Sequence, residues 1–494
     1  MTDFPSRVPL QPLRPTQAIV SETEFPVHFL PHHGKRYRLA NGHQVLVVPK
    51  AGTGFHVATW VRTGSIHEDD TNTGVSHFLE HLMFKGTPRF EAGVFDRAME
   101  SLGALINAAT WKDFTYYYVT APIGDTDTAS TATAGNVHRV LDLHADMMLC
   151  ASLPDEEIGP AYDPADTANP PASKRERSVV IEEIGMREDM PWSKLYTLLN
   201  ESMYPEGHPY QREVIGTRQV VGLIPRASIE QYYRTWYDAA SMMTLLVGPF
   251  THEEGLQLVG QYFNFEARPE SSVAPIARIH PETLVAPLPV KSPETRVVDH
   301  AEVSTRFGML GYHGPKPEDL KASVSLDIVA QVLSEGRSAR MTQELIEKAE
   351  TPNFNTISAY QYSFRLGNVF LVSTNFLSEE VDTSMALLQS YMDALHHERP
   401  ITEEEFTLAL KRLKTSWASH AETAADIADA LGSALVMNDS LESYERYPEV
   451  LATLTLTDVQ ETIHRYLQPA HAYQACLLPK ASATPTPEAL SLAG

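Results

Sequence analysis

The sequence predicts an α+β protein built from two homologous halves, each a mostly antiparallel sheet with helices packed on one face. Three observations carry this. Strand-like runs such as QVLVVPK, FTYYYVTAP, MMTLLVGPF and NVFLVSTNF come between long amphipathic helical stretches. FHVATWVRTGS ends a strand at Gly64 and leads to an apolar helix closing near Gly86; STRFGMLGYHGP and VSLDIVAQVLSEG repeat this from Gly314 to Gly336. Both glycine pairs are 22 residues apart and the copies are offset by 250, the mark of an internal duplication. Finally, Glu266 to Glu294 is rich in Pro, Ala and Ser without a helical period, so it reads as a linker between the copies.

Taken in order, residues 1–30 carry Pro5, Pro9, Pro12 and Pro15 and no continuous apolar core, which predicts an extended arm rather than a secretory signal or transit helix. The first half is expected over 31–265 and holds the candidate site; the linker is 266–294 and the second half 295–480. Residues 481–494 read as a disordered tail, and Gly159 to Lys174 as a surface insertion. No run approaches the roughly 20 apolar residues of a membrane span, so the expected compartment is the cytoplasm. Cys150 and Cys476 are the only cysteines, too few for a disulfide framework or thiolate cluster, and are read as small buried residues. The net charge of −24 without a basic run beyond SKRER excludes nucleic acid as the expected partner and would favour cationic ligands such as basic peptides.

The chemistry is concentrated in TGVSHFLEHLMFKGT, Thr73 to Thr87. On a helix, Val75, Phe78, Leu79, Leu82 and Met83 share one face, and His77, Glu80 and His81 fall together opposite. Histidines four apart stack one turn above the other and can address one metal ion. Glu80 then lies beside the ion's open position, where a carboxylate takes a proton from water. A solvated helix face has the same composition, and chance supplies this spacing about once in ten such chains. A third ligand is therefore required.

The candidate lies in KRERSVVIEEIGMRED. There Glu176, Val179, Val180 and Glu183 form one helical stripe while Glu182 points away. Carboxylates on an apolar stripe need a compensating charge. A metal would supply it, with Glu183 as ligand and Glu176 as its neighbour; pairing with Lys174 or Arg187 at the surface is the alternative. The other histidines, His32, His33, His252, His396 and His397, have no second ligand at metal spacing.

These residues resemble the pitrilysin/insulinase metallopeptidases, whose inverted zinc motif is similar to HFLEHLMFKGT. The resemblance extends through ESLGALINAATWKDFTYYYV and RERSVVIEEIGM and, with the duplicated halves, covers nearly all of Lys35 to Leu478. It implies that His77, His81 and Glu183 bind one Zn2+, that Glu80 is the general base and that Glu176 supports the site. It also implies two halves enclosing a chamber, and an edge strand over Asn107 to Tyr118 in which Asn107, Ala108, Ala109 and Thr110 hold a peptide's backbone.

One copy departs from the other. The offset puts Asp327, Ala330 and Gln331 opposite His77, Glu80 and His81, so the second half lacks the trio. Two-half members typically carry an Arg and a Tyr in the second half that hold the substrate carbonyl; here Ile346 and Asn353 stand near those positions, with Arg337 and Arg340 as the nearby donors. The expectation is a zinc endopeptidase for extended or unfolded peptides, working with a homologous partner in a heterodimer, or as a homodimer. A non-catalytic subunit of the same fold is the alternative.

Overall fold

The computed structural model describes residues 10–124, 135–166, 175–275, 278, 296–301 and 303–480. Most of the linker, the end of the insertion and the whole tail expected from the sequence lie outside the described residues. The first half contains strands β1 (Ile19–Phe25), β2 (Gly34–Leu39), β3 (Gln44–Pro49), β4 (Gly54–Val61), β5 (Leu105–Thr110), β6 (Thr115–Pro122) and β7 (Met242–Gly248). Its helices are α1 (Val75–Met83), α2 (Val94–Ser101), α3 (Gly135–Cys150), α4 (Asp155–Ile158), α5 (Glu176–Asp189), α6 (Pro191–Met203), α7 (Arg218–Leu223), α8 (Arg226–Trp236) and α9 (His252–Tyr262). The second half contains β8 (Arg296–Ala301), β9 (Arg306–His313), β10 (Phe354–Tyr362), β11 (Val369–Phe376) and β12 (Tyr473–Pro479). Its helices are α10 (Leu320–Ser334), α11 (Val381–Ala394), α12 (Glu403–Ser419), α13 (Ala424–Asn438), α14 (Glu442–Thr453) and α15 (Leu456–Tyr466).

The duplication is visible in the topology. The seven-stranded sheet runs β1-β2-β3-β7-β4-β6-β5, and the five-stranded sheet, read from its other edge, runs β8-β12-β9-β11-β10. The five strands β3-β7-β4-β6-β5 therefore match β8-β12-β9-β11-β10 one for one. Each sheet has a single parallel pair at the equivalent place, β3 with β7 and β8 with β12, and all other pairs are antiparallel. The β1-β2 hairpin is the first half's addition. It changes the reading of the N-terminal arm, because Ile19–Phe25 is an edge strand paired with β2. Ahead of it, the buried Gln17 donates to the carbonyls of Gly260 (2.9 Å) and Phe263 (3.0 Å), which ties the segment to α9 of its own chain.

Helices of each half pack on the outer face of their own sheet, and the inner face is also covered, by one helix of the opposite half. Leu195, Leu199 and Met203 of α6 pack against Met309, Leu371 and Ala475 in the second sheet. Ile427, Leu431 and Leu435 of α13 pack against Ala58, Trp60 and Leu245 in the first. The strands carry the sign of this two-sided burial. In β3, Val45 and Val47 enter the outer core while Leu46 and Val48 enter the inner one, so the run reads as continuously apolar rather than alternating. The two halves thereby complete each other's cores.

One close approach is at Gly432 of α13, where an added Cβ would fall 2.2–2.7 Å from the Trp60 ring. Trp60 is 2% exposed and stacked on Tyr116, so it has nowhere to move. Gly432→Ala should gain about 1 kcal/mol in helix propensity and lose about 1–3 kcal/mol to overpacking. The expected result is a lower melting temperature; a raised one would contradict this packing.

A polar stitch also joins the halves. Asp113 accepts from the Tyr210 hydroxyl (2.7 Å) and from the Arg365 amide (3.0 Å) of the loop between β10 and β11. Among the described residues no helix is long and apolar enough to cross a membrane. Cys476 is buried as expected, and Cys150 is partly buried, packed against the core of the first half.

Candidate metal centre

The site begins with the placement of α1. Its N-terminus sits where two glycines let backbones cross: Gly74 at φ +89° and Gly216 at φ +78°, each with no room for a Cβ against the other strand of chain. Glu68 closes this end, accepting from the amides of Gly74 and Ser76 (both 2.8 Å) and from the Ser76 hydroxyl. Burial pushes the Glu68 carboxyl up to about 7 even against those hydrogen bonds. The expected apolar face is entirely buried, Val75, Phe78, Leu79, Leu82 and Met83 being at most 1% exposed. The solvated-face alternative fails at His77, which is 8% exposed.

Helix α5 crosses nearby and brings Glu183 to the histidines. Its Oε2 lies 3.7 Å from His77 Nε2 and 3.5 Å from His81 Nε2. Corners of a tetrahedron around an ion with ligand bonds of about 2 Å are about 3.3 Å apart. One donor atom from each of the three residues falls within 4.8 Å of the others, the only such His/Cys/Asp/Glu group among the described residues. Two imidazoles and one carboxylate suit a divalent zinc and leave a fourth position open.

Glu176 lies behind the histidines, with Oε2 3.1 Å from His81 Nδ1 and Oε1 2.9 Å from Lys85 Nζ. A proton on Nδ1 directed at Glu176 would leave the Nε2 lone pair for a metal ion. Burial opposes charge on His81, but the hydrogen bonds to Glu176 and Glu183 prevail and raise it to about 9. Burial and the neighbouring His81 lower His77 to about 4, and its Nδ1 is buried without a partner among the described residues. Glu183 also reaches Arg187 at 3.6 Å, the surface pair foreseen as an alternative, so both contacts coexist. Val179, expected on the buried stripe, is 40% exposed; the buried Arg177 takes its place, donating to the Val221 carbonyl at 2.5 Å.

Glu80 points at β5, where the Thr110 hydroxyl donates to its Oε2 at 2.6 Å. Burial raises the Glu80 carboxyl above its ordinary value, against that hydrogen bond. Strand β5 is the free edge of its sheet, with only β6 beside it. The stretch Asn107 to Tyr118 is thus a hairpin in which β5 alone forms the edge. Asn107 is exposed, with Oδ1 accepting from the Ala108 amide, and Ala108 and Ala109 are half-buried.

Beyond the end of β5 lies a cavity of 720 Å³ lined from both halves, including Trp111, Ile184, Tyr196, Tyr362 and Phe364. In the second half, Ile346 is packed at the edge of the core. Arg340 is spent on Glu405 (2.7 Å) and the Arg399 carbonyl (2.8 Å), so it is not a free donor. Sequence reasoning missed the Glu68 cap, the Lys85–Glu176 pair and Thr110 as the partner of Glu80. Only Lys85, one turn beyond His81, had a local signal.

Residues 49–218 match the family model described as Insulinase (Peptidase family M16), and residues 224–413 match the one described as Peptidase M16 inactive domain. The chain belongs to the M16 peptidase family. Over 465 residues it is 25% identical to the zinc protease PqqE of Helicobacter pylori, covering 91% of this chain and 94% of that one. It is also 25% identical over 227 residues to subunit 1 of the bovine mitochondrial cytochrome b-c1 complex, covering 46% of this chain and 42% of the subunit. A solved structure of a protease from Helicobacter pylori shares the fold with a TM-score of 0.76 at 23% identity, over 91% of this chain and 100% of that one. The proteins this chain is similar to thus include ones named as proteases and one named as a subunit of the cytochrome b-c1 complex.

Proposed function

We propose that this M16 chain is a zinc-dependent endopeptidase that cleaves extended or unfolded peptides. The observation that carries the reading is the convergence of His77, His81 and Glu183, with donor atoms 3.5 and 3.7 Å apart, beside a carboxylate held ready on Glu80. His77, His81 and Glu183 would hold the ion, and Glu176 fixes the ring of His81. Zinc bound there supplies Lewis acidity toward a peptide carbonyl and toward water.

The protein's own groups do the rest. Strand β5 is a free edge along Asn107, Ala108, Ala109 and Thr110, to which an extended peptide adds as one more strand, taking over the Ala108 amide from the Asn107 side chain. The Thr110 hydroxyl orients Glu80, and burial makes its carboxylate a stronger base than one in water. Glu80 takes a proton from the attacking water and passes it to the leaving amine. The apolar cavity at the end of β5 receives a substrate side chain.

The second half offers Ile346 and Asn353 where donors to the substrate carbonyl are expected, and Arg340 is already engaged. Losing one such donor costs on the order of 10²–10³ in rate. A homologous partner that supplies it, in a heterodimer enclosing the substrate, accounts for this. The same deficit favours a second reading, a non-catalytic subunit of a larger complex, and one relative is named as a subunit of the cytochrome b-c1 complex.

Hydrolysis of an unstructured peptide should be measured for the chain alone and mixed with a homologous subunit. Weak activity that rises on mixing is expected. Full activity of the chain alone would remove the need for a partner, and zinc-loaded chain inert in both conditions would favour the non-catalytic reading.

A further inference from the structure

Two helices of the second half end against each other. Helix α11 stops at Ala394 and is followed by His396 and His397, and the last turn of α15 carries His464. Along the chain His396 and His397 have no second ligand, because it comes from 68 residues further on. In the fold His396 Nδ1 lies 2.9 Å from His464 Nδ1. The three rings crowd together, with centroids 5.0 Å apart for His396 and His464, 5.4 Å for His397 and His464, and 6.3 Å for His396 and His397. None of these residues belongs to the candidate centre, whose helices α1 and α5 lie in the other half.

The chemistry of the pair is set from behind. His396 Nε2 is 3.0 Å from the Leu467 carbonyl, which can only accept, so Nε2 carries the proton and Nδ1 keeps its lone pair. A ring nitrogen bonded to a backbone carbonyl is the usual orienting contact of a metal-ligating histidine. Partial burial, with His396 and His397 nearby, lowers His464 from its ordinary value and favours the neutral ring that a metal requires. Both histidines stand at helix C-termini, where the backbone dipoles favour positive charge. Arg465, the next cation along the chain, is engaged with Asp319 at 3.8 Å and with the Tyr466 ring.

The spacing selects the ion. Nitrogens about 2.0–2.1 Å from a metal are about 3.3 Å apart at tetrahedral corners and about 2.9 Å apart at right angles. The observed 2.9 Å is the second of these, the arrangement that Cu2+ and Ni2+ adopt. Ring centroids around such an ion stand about 4.5–5.5 Å apart. The separations of His464 from His396 and His397 fall in that range. His397 is exposed on its turn, so rotation about its side-chain bonds brings it onto the same ion.

We infer that His396 and His464, joined by His397, form a second metal site for a divalent ion of the Ni2+ and Cu2+ class. An ion held there ties the ends of α11 and α15 together. Two preset imidazoles grip less tightly than the three donors of the candidate centre, so zinc fills that centre first.

The full chain carrying His81→Ala, which disables the other centre, is freed of metal and titrated calorimetrically with Ni2+. Mg2+ serves as the probe of the acidic surface alone. One saturable equivalent of Ni2+ is expected without comparable uptake of Mg2+, since imidazole prefers the softer ion. Adding His464→Gln or His396→Gln should weaken Ni2+ by about tenfold or more, because each removes a ligand outright, and loss of an orienting partner alone costs about 10–100-fold. His397→Gln should weaken it by a smaller factor. If His396→Gln does not fold, His464→Gln, on an exposed helix face, decides. Ni2+ binding that is absent, matched by Mg2+, or unchanged in the folded His464→Gln chain would overturn the inference. Peptide hydrolysis enters none of these measurements, so the peptidase reading stands or falls by its own test.

Discussion

Glu80→Gln is expected to lower peptide turnover by about 10²–10⁴-fold while leaving zinc content and melting temperature unchanged. The amide has the carboxylate's shape and keeps an oxygen to accept from the Thr110 hydroxyl, so the contact between α1 and β5 survives. What it loses is the ability to take a proton. In the native chain burial raises Glu80 above an ordinary carboxyl, and the Thr110 hydrogen bond keeps this rise in check. The measurement is kcat on an unstructured peptide, in the presence of whatever partner gives full activity, beside metal analysis of both proteins. Turnover within a few-fold of the native chain would remove Glu80 from the reaction.

The second large effect concerns the metal itself. His81→Ala should abolish stoichiometric zinc, because it deletes one of three donors and leaves Glu183 facing His77 alone at 3.7 Å. Glu176→Gln should be milder, about 10–100-fold in affinity, as befits a group that holds a ligand rather than the ion. Glu176 reaches His81 only through Nδ1, and its loss frees the ring to rotate and to change tautomer. Competition with a chromogenic chelator for zinc measures both variants on one scale. Equal zinc affinity for native chain, His81→Ala and Glu176→Gln would mean that the ion, if bound, sits elsewhere.

Much of the site was legible because its parts are local. His77, Glu80 and His81 lie within five residues, and helical periodicity alone puts them on one side with Phe78 and Leu82 on the other. The stripe in α5 was read less well. Its period brought out Glu176 and Glu183 but also Val179, which faces solvent, because crossing helices bury a patch rather than a full stripe. Thr110 escaped notice as a partner of Glu80 since thirty residues separate them and a strand's threonine is ordinary in itself. Glu68 escaped for the same reason: it caps α1 from outside the helix, across the turn at Gly74.

The sequence by itself determined the two-half α+β plan, the offset of 250 between copies, the loss of the trio in the second and the composition of the candidate centre. These follow from spacing along the chain, which repeats and periodicity record directly. Only the tertiary structure decided that α6 and α13 exchange sheets between the halves and that Ile19–Phe25 closes one edge. It alone brought His396 and His464 together across 68 residues. The apolar runs state that both faces of a strand are buried, but not by which helix. That choice is made by shape and by chain connectivity over hundreds of residues, and no local pattern encodes it.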